Sequence, residues 1–325
     1  MKKVKTIARP NIALIKYWGK RDEKLNLPAV GSISITLDGI STNTEISITK
    51  NEDKFYLNNQ IDAIEHSKIV PFLDYVREFI NDKVYFEIHS VNNFPTAAGL
   101  ASSASGYASI AKGINHLLNL NLSDKELSQL ARRGSGSGAR SIFGGFVEMH
   151  KGVLPDGSDC FAKQLYNADY LPLVVIVVIT NVEVKKTSSR NGMLISKNTS
   201  PYYSTWVNTS DYDINAMKIA LREKDFNKIA DLSIRNCLKM HSVMLTSNPP
   251  LIYWNSTTFE IIKFIEDLFY EQNQPVFFTI DAGPQVKIIT IPDYKKHLLK
   301  IIKKLDNIQD YYVLGLGNGA EIIED

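Results

Sequence analysis

The segment that most constrains this chain is Pro95 to Gly106, PTAAGLASSASG, a turn of small residues that feeds directly into an amphipathic helix. Ala104, Tyr107, Ala108, Ala111, Ile114 and Leu118 recur at helical spacing behind it, which puts the serines and the glycine at a helix N-terminus. Free backbone N–H groups and the positive end of the helix dipole converge there, a geometry that holds a phosphate. The lysine and following hydroxyl residue of a Walker A loop are missing, so a cation serving that anion comes from elsewhere. Taken alone, the same residues also suit an N-cap serine that merely starts a packed helix.

Around this segment strands alternate with helices. Thr44 to Thr49 and Val84 to Ile88 alternate apolar and polar residues, whereas Ile69 to Ile80 has helical periodicity. Ser123 with Glu126 forms a capping box for a helix carrying Leu127, Leu130 and Ala131, and the run GSGSG at 134 to 138 breaks that helix. Ser141 to Val147 reads as a return into a strand, and Leu173 to Ile179 as a buried one. Polar loops are expected at 185 to 192 and 196 to 211, then helices around Ile214 to Leu221, Phe226 to Met240 and Phe259 to Tyr270. Val276 to Ile280 ends in the turn DAGP, with Val286 to Ile291 as its antiparallel neighbour. A length of 325 residues favours two domains, and the change in composition puts the cut near 182, giving 1–182 and 183–325.

A net charge of +2 leaves no basic footprint for nucleic acid, and Lys295 to Lys304 reads as the wet face of a helix that buries Leu298, Leu299, Ile302 and Leu305. The apolar run at Leu171 to Ile179 is about half the length of a membrane span, so no membrane partner is expected. Cys160 and Cys237 make neither a disulfide framework nor a metal knuckle, and the N-terminus lacks the apolar stretch of a secretory signal, which fits a cytoplasmic protein. The histidines show no zinc-binding spacing, and no GxSxG elbow is present.

Three further segments join the helix-start loop as candidates for chemistry. NIALIKYWGKRD at 11 to 22 sets Lys16 and Lys20 around Tyr17, Trp18 and Gly19. Lysines beside aromatics also simply cover surface. GSGSGARS at 134 to 141 offers backbone N–H groups and hydroxyls for a diphosphate, with Arg140 as a charged fork. Its formal match to a dinucleotide fingerprint is rejected because a helix precedes it, and GLGNGA at 315 to 320 lacks room for the required helix and strand. In DAGP, Asp281 is either a turn former or a functional carboxylate at a strand end.

In this order, NIALIKYWGKRD, SVNNFPTAAGLASSASGYA, ARRGSGSGARSIFGGF, SSRNGM and FFTIDAGPQVKI resemble the mevalonate diphosphate decarboxylases of the GHMP kinase superfamily along essentially the whole chain. The resemblance implies an α+β fold: an N-terminal α/β domain of ribosomal protein S5 domain 2 type, a C-terminal ferredoxin-like domain, and an active site in the cleft between them. It implies ATP and Mg2+, mevalonate 5-diphosphate as the small-molecule substrate, and a homodimer. Asp281, Lys16 and Arg140 fall on catalytic positions. Substrate positions fall on Tyr17, Trp18, Gly19, Lys20, Lys68, Ser135, Gly136, Ser137, Gly138, Ala139, Arg140, Ser189, Arg190 and Met193. Nucleotide positions fall on Ser90, Asn92, Pro95, Gly99, Leu100, Ala101, Ser102, Ser103 and Ser105, with Ser103 as a metal contact. The implied reaction phosphorylates the C3 hydroxyl and then releases phosphate and carbon dioxide to leave isopentenyl diphosphate. A mevalonate 3-kinase or a phosphomevalonate decarboxylase or kinase is the alternative within the superfamily. Gly31, Met149 and Gly138 depart from the family's usual serine, tryptophan and less glycine-rich loop.

Overall fold

The computed structural model describes residues 2–61, 63–95, 102–183, 185–303, 305 and 307–324. In chain order the elements begin with β1 (Lys3–Ala8), β2 (Asn11–Ile15), β3 (Lys20–Asp22), β4 (Leu27–Pro28), β5 (Ser32–Thr36), β6 (Thr42–Thr49), β7 (Lys54–Leu57) and β8 (Gln60–Ile61). Then come α1 (Ala63–Ile80), β9 (Tyr85–Asn92), α2 (Ser102–Leu117), α3 (Asp124–Gly134), the single turn α4 (Gly138–Ser141), β10 (Phe146–Met149) and β11 (Ala162–Tyr166). The rest comprises β12 (Val174–Ile179), α5 (Ser189–Thr199), α6 (Tyr203–Glu223), α7 (Phe226–Leu245), α8 (Ser256–Glu266), β13 (Val276–Ile280), β14 (Val286–Thr290), α9 (Lys295–Ile302), β15 (Asp310–Leu314) and β16 (Glu321–Glu324).

A six-stranded sheet, β16-β1-β6-β9-β7-β8, buries alternate residues such as Val4, Ile46, Phe86 and Ile88 against α1, α2 and α3. A second sheet, β11-β10-β5-β2, and a third, β13-β14-β12-β15, are covered on both faces along most of their length. One apolar cluster joins Ile12, Leu14 and Ile33 of the second sheet to Val177, Phe277 and Ile288 of the third, with Met217 and Ile234 from α6 and α7. Burial of this shared cluster is what brings the C-terminal ends of β2 and β13 together. The capping box at Ser123 is formed: its hydroxyl accepts from the Glu126 N–H while the Glu126 side chain accepts from the Ser123 N–H.

Three expectations change. The polar stretches at 185 to 192 and 196 to 211 are largely helical, in α5 and the first half of α6. Their buried faces carry Gly192, Ser196, Ser210 and Asp213 beside Met193 and Trp206, so small and polar residues hide the period. The cut near 182 leaves β12 with the N-terminal half in sequence, while β12 pairs with β14 and β15, and the chain returns at its end so that β16 pairs with β1. Each half of the protein therefore contains a strand that the sequence order assigns to the other. Finally, Ser141 closes α4, and the strand starts only at Phe146, beyond a left-handed Gly145 with φ of 66°.

GLGNGA at 315 to 320 connects β15 to β16 through backbone contacts: the Gly317 N–H donates to the Thr36 carbonyl and the Gly145 N–H to the Gly317 carbonyl, each at 2.9 Å. A Cβ on Gly319 would lie 2.2 Å from the Ile142 carbonyl oxygen, which explains the glycine without any nucleotide. At the end of α3, a Cβ on Gly134 would lie 1.9 Å from Cδ1 of Tyr107 on α2. That close approach carries the 135 to 137 loop to the start of α2. Gly134→Ala is expected to displace the Tyr107 ring and cost about 1–3 kcal/mol, read as a lower urea midpoint with an unchanged m-value.

Candidate active site

Lys16 follows β2 and Asp281 follows β13, and α7 holds both strand ends. The Asn236 amide oxygen accepts from the Lys16 N–H at 2.7 Å, and the Cys237 sulfur accepts from the Ile280 N–H at 3.2 Å. The Thr279 hydroxyl donates across to the Ala13 carbonyl at 3.3 Å. So framed, Lys16 Nζ lies 2.7 Å from Asp281 Oδ1 with only 1% of its side chain exposed, against 29% for Asp281. Lys287, in β14, puts its Nζ 3.5 Å from the other carboxylate oxygen, Oδ2. Lys185 donates to the Ser189 hydroxyl at 2.8 Å and to the Ala282 carbonyl at 3.0 Å. Burial pushes the Asp281 carboxyl up, but the charges of Lys16, Lys287 and Arg140 outweigh it and hold the group down at about 2. Beside them His241 is buried, and burial followed by the Lys16 charge lowers it to about 3, so the ring is neutral.

Arg140 projects from α4 into a cradle of uncharged groups. Its Nε and Nη2 donate to Asn11 Oδ1 at 3.1 and 2.9 Å, Nε to Ser34 Oγ at 3.0 Å and Nη1 to Ser32 Oγ at 2.6 Å. Asn11 is fixed in turn by donating to the Ser137 carbonyl at 3.0 Å and the Ser141 hydroxyl at 2.8 Å. Burial lowers Arg140 to about 10 while Asp281 and Tyr17 act to raise it. The fork is thus oriented by neutral partners, and its positive charge stays available to an incoming anion.

A line of hydroxyls connects the two candidate anion loops: Ser103 Oγ lies 3.4 Å from Ser135 Oγ, which lies 3.2 Å from Ser137 Oγ. Gly136 sits under Tyr17, where a Cβ would come 2.6 Å from the phenol oxygen. Tyr17 Oη and Trp18 Nε1 are buried without a hydrogen-bond partner among the described residues. Burial raises Tyr17 above the usual phenol value, so it remains a donor. Gly19 adopts φ of 102° and passes Tyr203, whose Oη would lie 2.2 Å from a Cβ there. Lys20 is 7% exposed, and burial plus the Arg190 charge lowers it to about 8. It lines one crevice with Glu23, Arg190, Met193, Leu194 and Lys197.

The structure therefore places Lys16, Arg140 and Asp281 within electrostatic reach of one another, sets Gly136, between Ser135 and Ser137, under Tyr17, ties Ser189 to Lys185 beside Asp281, packs Gly192, next to Met193, against Trp18, and lines one crevice with Lys20, Arg190 and Met193. Gly138 and Ala139 are buried within α4. Other expected residues are placed differently. The Ser90 hydroxyl is 2.9 Å from that of Thr44, and the Ser105 hydroxyl is 2.6 Å from that of Thr42 and donates to the Ser102 carbonyl. Both hydroxyls, at zero to 2% exposure, tie β9 and α2 to β6. Asn92 accepts from Thr42 through its side-chain oxygen. Lys68 is half exposed on α1 in an ion pair with Glu65. Pro95 is exposed beyond β9, Ser102 starts α2, and Gly99, Leu100 and Ala101 lie outside the described residues.

Sequence reasoning missed Asn11, Ser32, Ser34, Lys185, Asn236 and Lys287. For Lys287 a signal existed, namely a lysine inside the otherwise apolar run Val286 to Ile289. Among the described residues no group of three or more His, Cys, Asp or Glu side chains offers a metal cage. The hydroxyls at Ser103, Ser135 and Ser137 are hard oxygen donors that suit a Mg2+ ion carried mainly by phosphate oxygens.

A helix start at Ser102 whose Ser103 hydroxyl reaches the 135–137 loop, with a buried lysine–aspartate pair and a buried arginine nearby, is an arrangement suited to an enzyme of anionic substrates. Residues 8–162 match the diphosphomevalonate decarboxylase-like N-terminal domain, and residues 175–313 match the mevalonate 5-diphosphate decarboxylase C-terminal domain. The chain belongs to the diphosphomevalonate decarboxylase family, with the two-domain α+β fold of the GHMP kinases. It is 37% identical to the diphosphomevalonate decarboxylase of Candida albicans over 86% of this chain and 81% of that one. With the human enzyme of that name it shares 36% identity over 87% and 75%. Mevalonate diphosphate decarboxylase from Staphylococcus aureus superposes with a TM-score of 0.93 at 40% identity, covering 99% and 98% of the two chains. A complex of MDDEF with MVAPP, AMPPCP and magnesium gives a TM-score of 0.92 at 36% identity over 99% of each chain.

Asp281→Asn leaves Lys16 and Lys287 buried without their counter-charge. It should lower stability at pH 7 by about 2–3 kcal/mol, toward the low end for a buried pair because the carboxylate is partly exposed. A depressed folded-state pKa stabilises above the unfolded value and is lost as pH falls through the folded one. The gap between wild type and variant should therefore close from the ordinary carboxylate range down towards pH 2, measurable by urea unfolding at several pH values.

Proposed function

We propose that this chain catalyses the ATP-dependent decarboxylation of (R)-5-diphosphomevalonate to isopentenyl diphosphate, ADP, phosphate and carbon dioxide. The observation that carries the reading is the buried Lys16–Asp281 pair at 2.7 Å, in the same cleft as Arg140. The substrate diphosphate is held by Tyr17, Lys20, Ser135, Gly136, Ser137, Ser189 and Arg190, with Trp18, Gly19 and Met193 as walls. The α2 N-terminus, with Ser102 and Ser103, receives the phosphates of ATP. A Mg2+ ion, when bound, neutralises charge on those phosphates.

Asp281 accepts a hydrogen bond from the C3 hydroxyl and aims its oxygen lone pair at the γ-phosphorus. A carboxylate held near 2 is a weak base, so orientation precedes proton transfer, and the proton reaches Asp281 only as the new P–O bond forms. Lys16 keeps the carboxylate ionised and aligned. The C3–O bond then breaks with its electron pair leaving on phosphate, which makes C3 electron-poor. Electrons of the C–COO− bond move to form the alkene as carbon dioxide departs. Arg140, locked by Asn11, Ser32 and Ser34, holds the carboxylate in line for that step.

The same reading gives a cytoplasmic homodimer. Free buried thiols at Cys160 and Cys237 suit a reducing compartment. Tyr212 and Ile219, exposed seven residues apart on α6 beside a depression of about 430 Å³, offer a face for a second copy. Among the described residues no helix is long and apolar enough to cross a membrane.

The test is incubation with ATP and Mg2+ against mevalonate, its 5-phosphate and its 5-diphosphate, following ADP and carbon dioxide together. Both should appear in equal amounts with the diphosphate, and ADP without carbon dioxide would reduce the protein to a kinase. Arg140→Lys should lower kcat/KM by about 10²-fold or more, since an ammonium cannot reproduce the bidentate fork.

A further inference from the structure

We infer that Lys287 is a positioning residue for Asp281, a second ammonium that grips Oδ2 while Lys16 grips Oδ1 and so fixes the plane in which the carboxylate meets its substrate. The inference rests on the reaction proposed above. Its geometric basis lies in the sheet. In the antiparallel β13–β14 pair, Lys287 stands directly opposite Thr279, and side chains directly opposite each other share a face. Thr279 reaches the Ala13 carbonyl of β2, so that shared face looks towards the strand that ends at Lys16. Strand β14 is internal, flanked by β12 and β13, which leaves Lys287 little freedom to turn away.

A lysine that is 1% exposed in an apolar strand is costly to bury unless its charge is met. Its Nζ lies 3.5 Å from Asp281 Oδ2 and donates to the Gln285 carbonyl at 3.3 Å, which anchors it to the DAGPQ turn itself. With one ammonium alone on Oδ1, the carboxylate is free to rotate about its Cβ–Cγ bond. A second on Oδ2 defines both oxygens at once. The groups facing Asp281 are Lys16 after β2, Lys287 on β14, Lys185 before α5, Arg140 on α4, and Cys237 and neutral His241 on α7. Of these, Lys16 and Lys287 form ion pairs with the carboxylate among the described residues.

Lys287→Met and Lys287→Gln in the full chain separate this role from simple packing. With mevalonate 5-diphosphate, ATP and Mg2+, kcat should fall about tenfold or more while both KM values stay within about twofold. The acid limb of the kcat profile should move up by about one pH unit, because loss of a cation within 4 Å of a carboxylate weakens its ionised form. An acid limb that stays in place in a folded variant would overturn the role. A carbon-13 titration of the side-chain carboxyls, run without substrate on the wild type and on Lys287→Gln, reads the same contact without turnover. The Asp281 resonance should titrate about one pH unit higher in Lys287→Gln than in the wild type, and equal titration in the two folded proteins overturns the inference. Failure of the wild type to turn over would instead count against the proposed reaction, leaving the titration to judge Lys287.

Discussion

The ion pair between Lys16 and Asp281 links residues 265 positions apart, and the rest of the structure serves to hold it. Burying a lysine and an aspartate costs more in lost hydration than their attraction returns unless the geometry is good and the remaining valences are filled. Here the backbone of Lys16 is tied to Asn236, the strand before Asp281 to Cys237, and both strands to each other through Thr279. The shared apolar cluster beneath provides the rigidity that makes a 2.7 Å contact possible.

Charge distribution around that pair explains how two polyanions share one cleft. One carboxylate faces Lys16, Lys287 and Arg140, with Lys185 beside it, and Lys20 and Arg190 line the neighbouring crevice. The surplus of positive charge is supported by neutral hydrogen-bond partners, as at Arg140.

Glycines set the distances. Gly134 lets the loop after α3 meet α2, Gly136 lets Tyr17 cover the loop, and Gly192 lets Trp18 approach α5, where a Cβ would come 2.9 Å from its ring. Gly31, a departure from the family pattern, is explained locally: a Cβ there would lie 2.5 Å from Ile214 Cδ1 and 3.0 Å from the carbonyl of Met149, another of the three departures.

Sequence by itself determined the chemical groups and the local geometry that displays them: the helix start at Ser102, the capping box at Ser123, the strand ending at Asp281, and the cations Lys16, Lys20 and Arg140. Those features follow from spacing within a few residues, where backbone periodicity acts directly. Tertiary structure alone decided which distant groups meet. The helix at 189 to 199 and the first half of that at 203 to 223 were hidden because their buried faces use serine, glycine and aspartate, whose burial makes sense only once Ser247, Asn236 and Lys239 stand opposite. The hydroxyl partners of Ser90 and Ser105, Thr44 and Thr42, become visible only once β6 is in place. Lys287 gained its place on Oδ2 from the register of β13 against β14, a long-range pairing that no local pattern encodes.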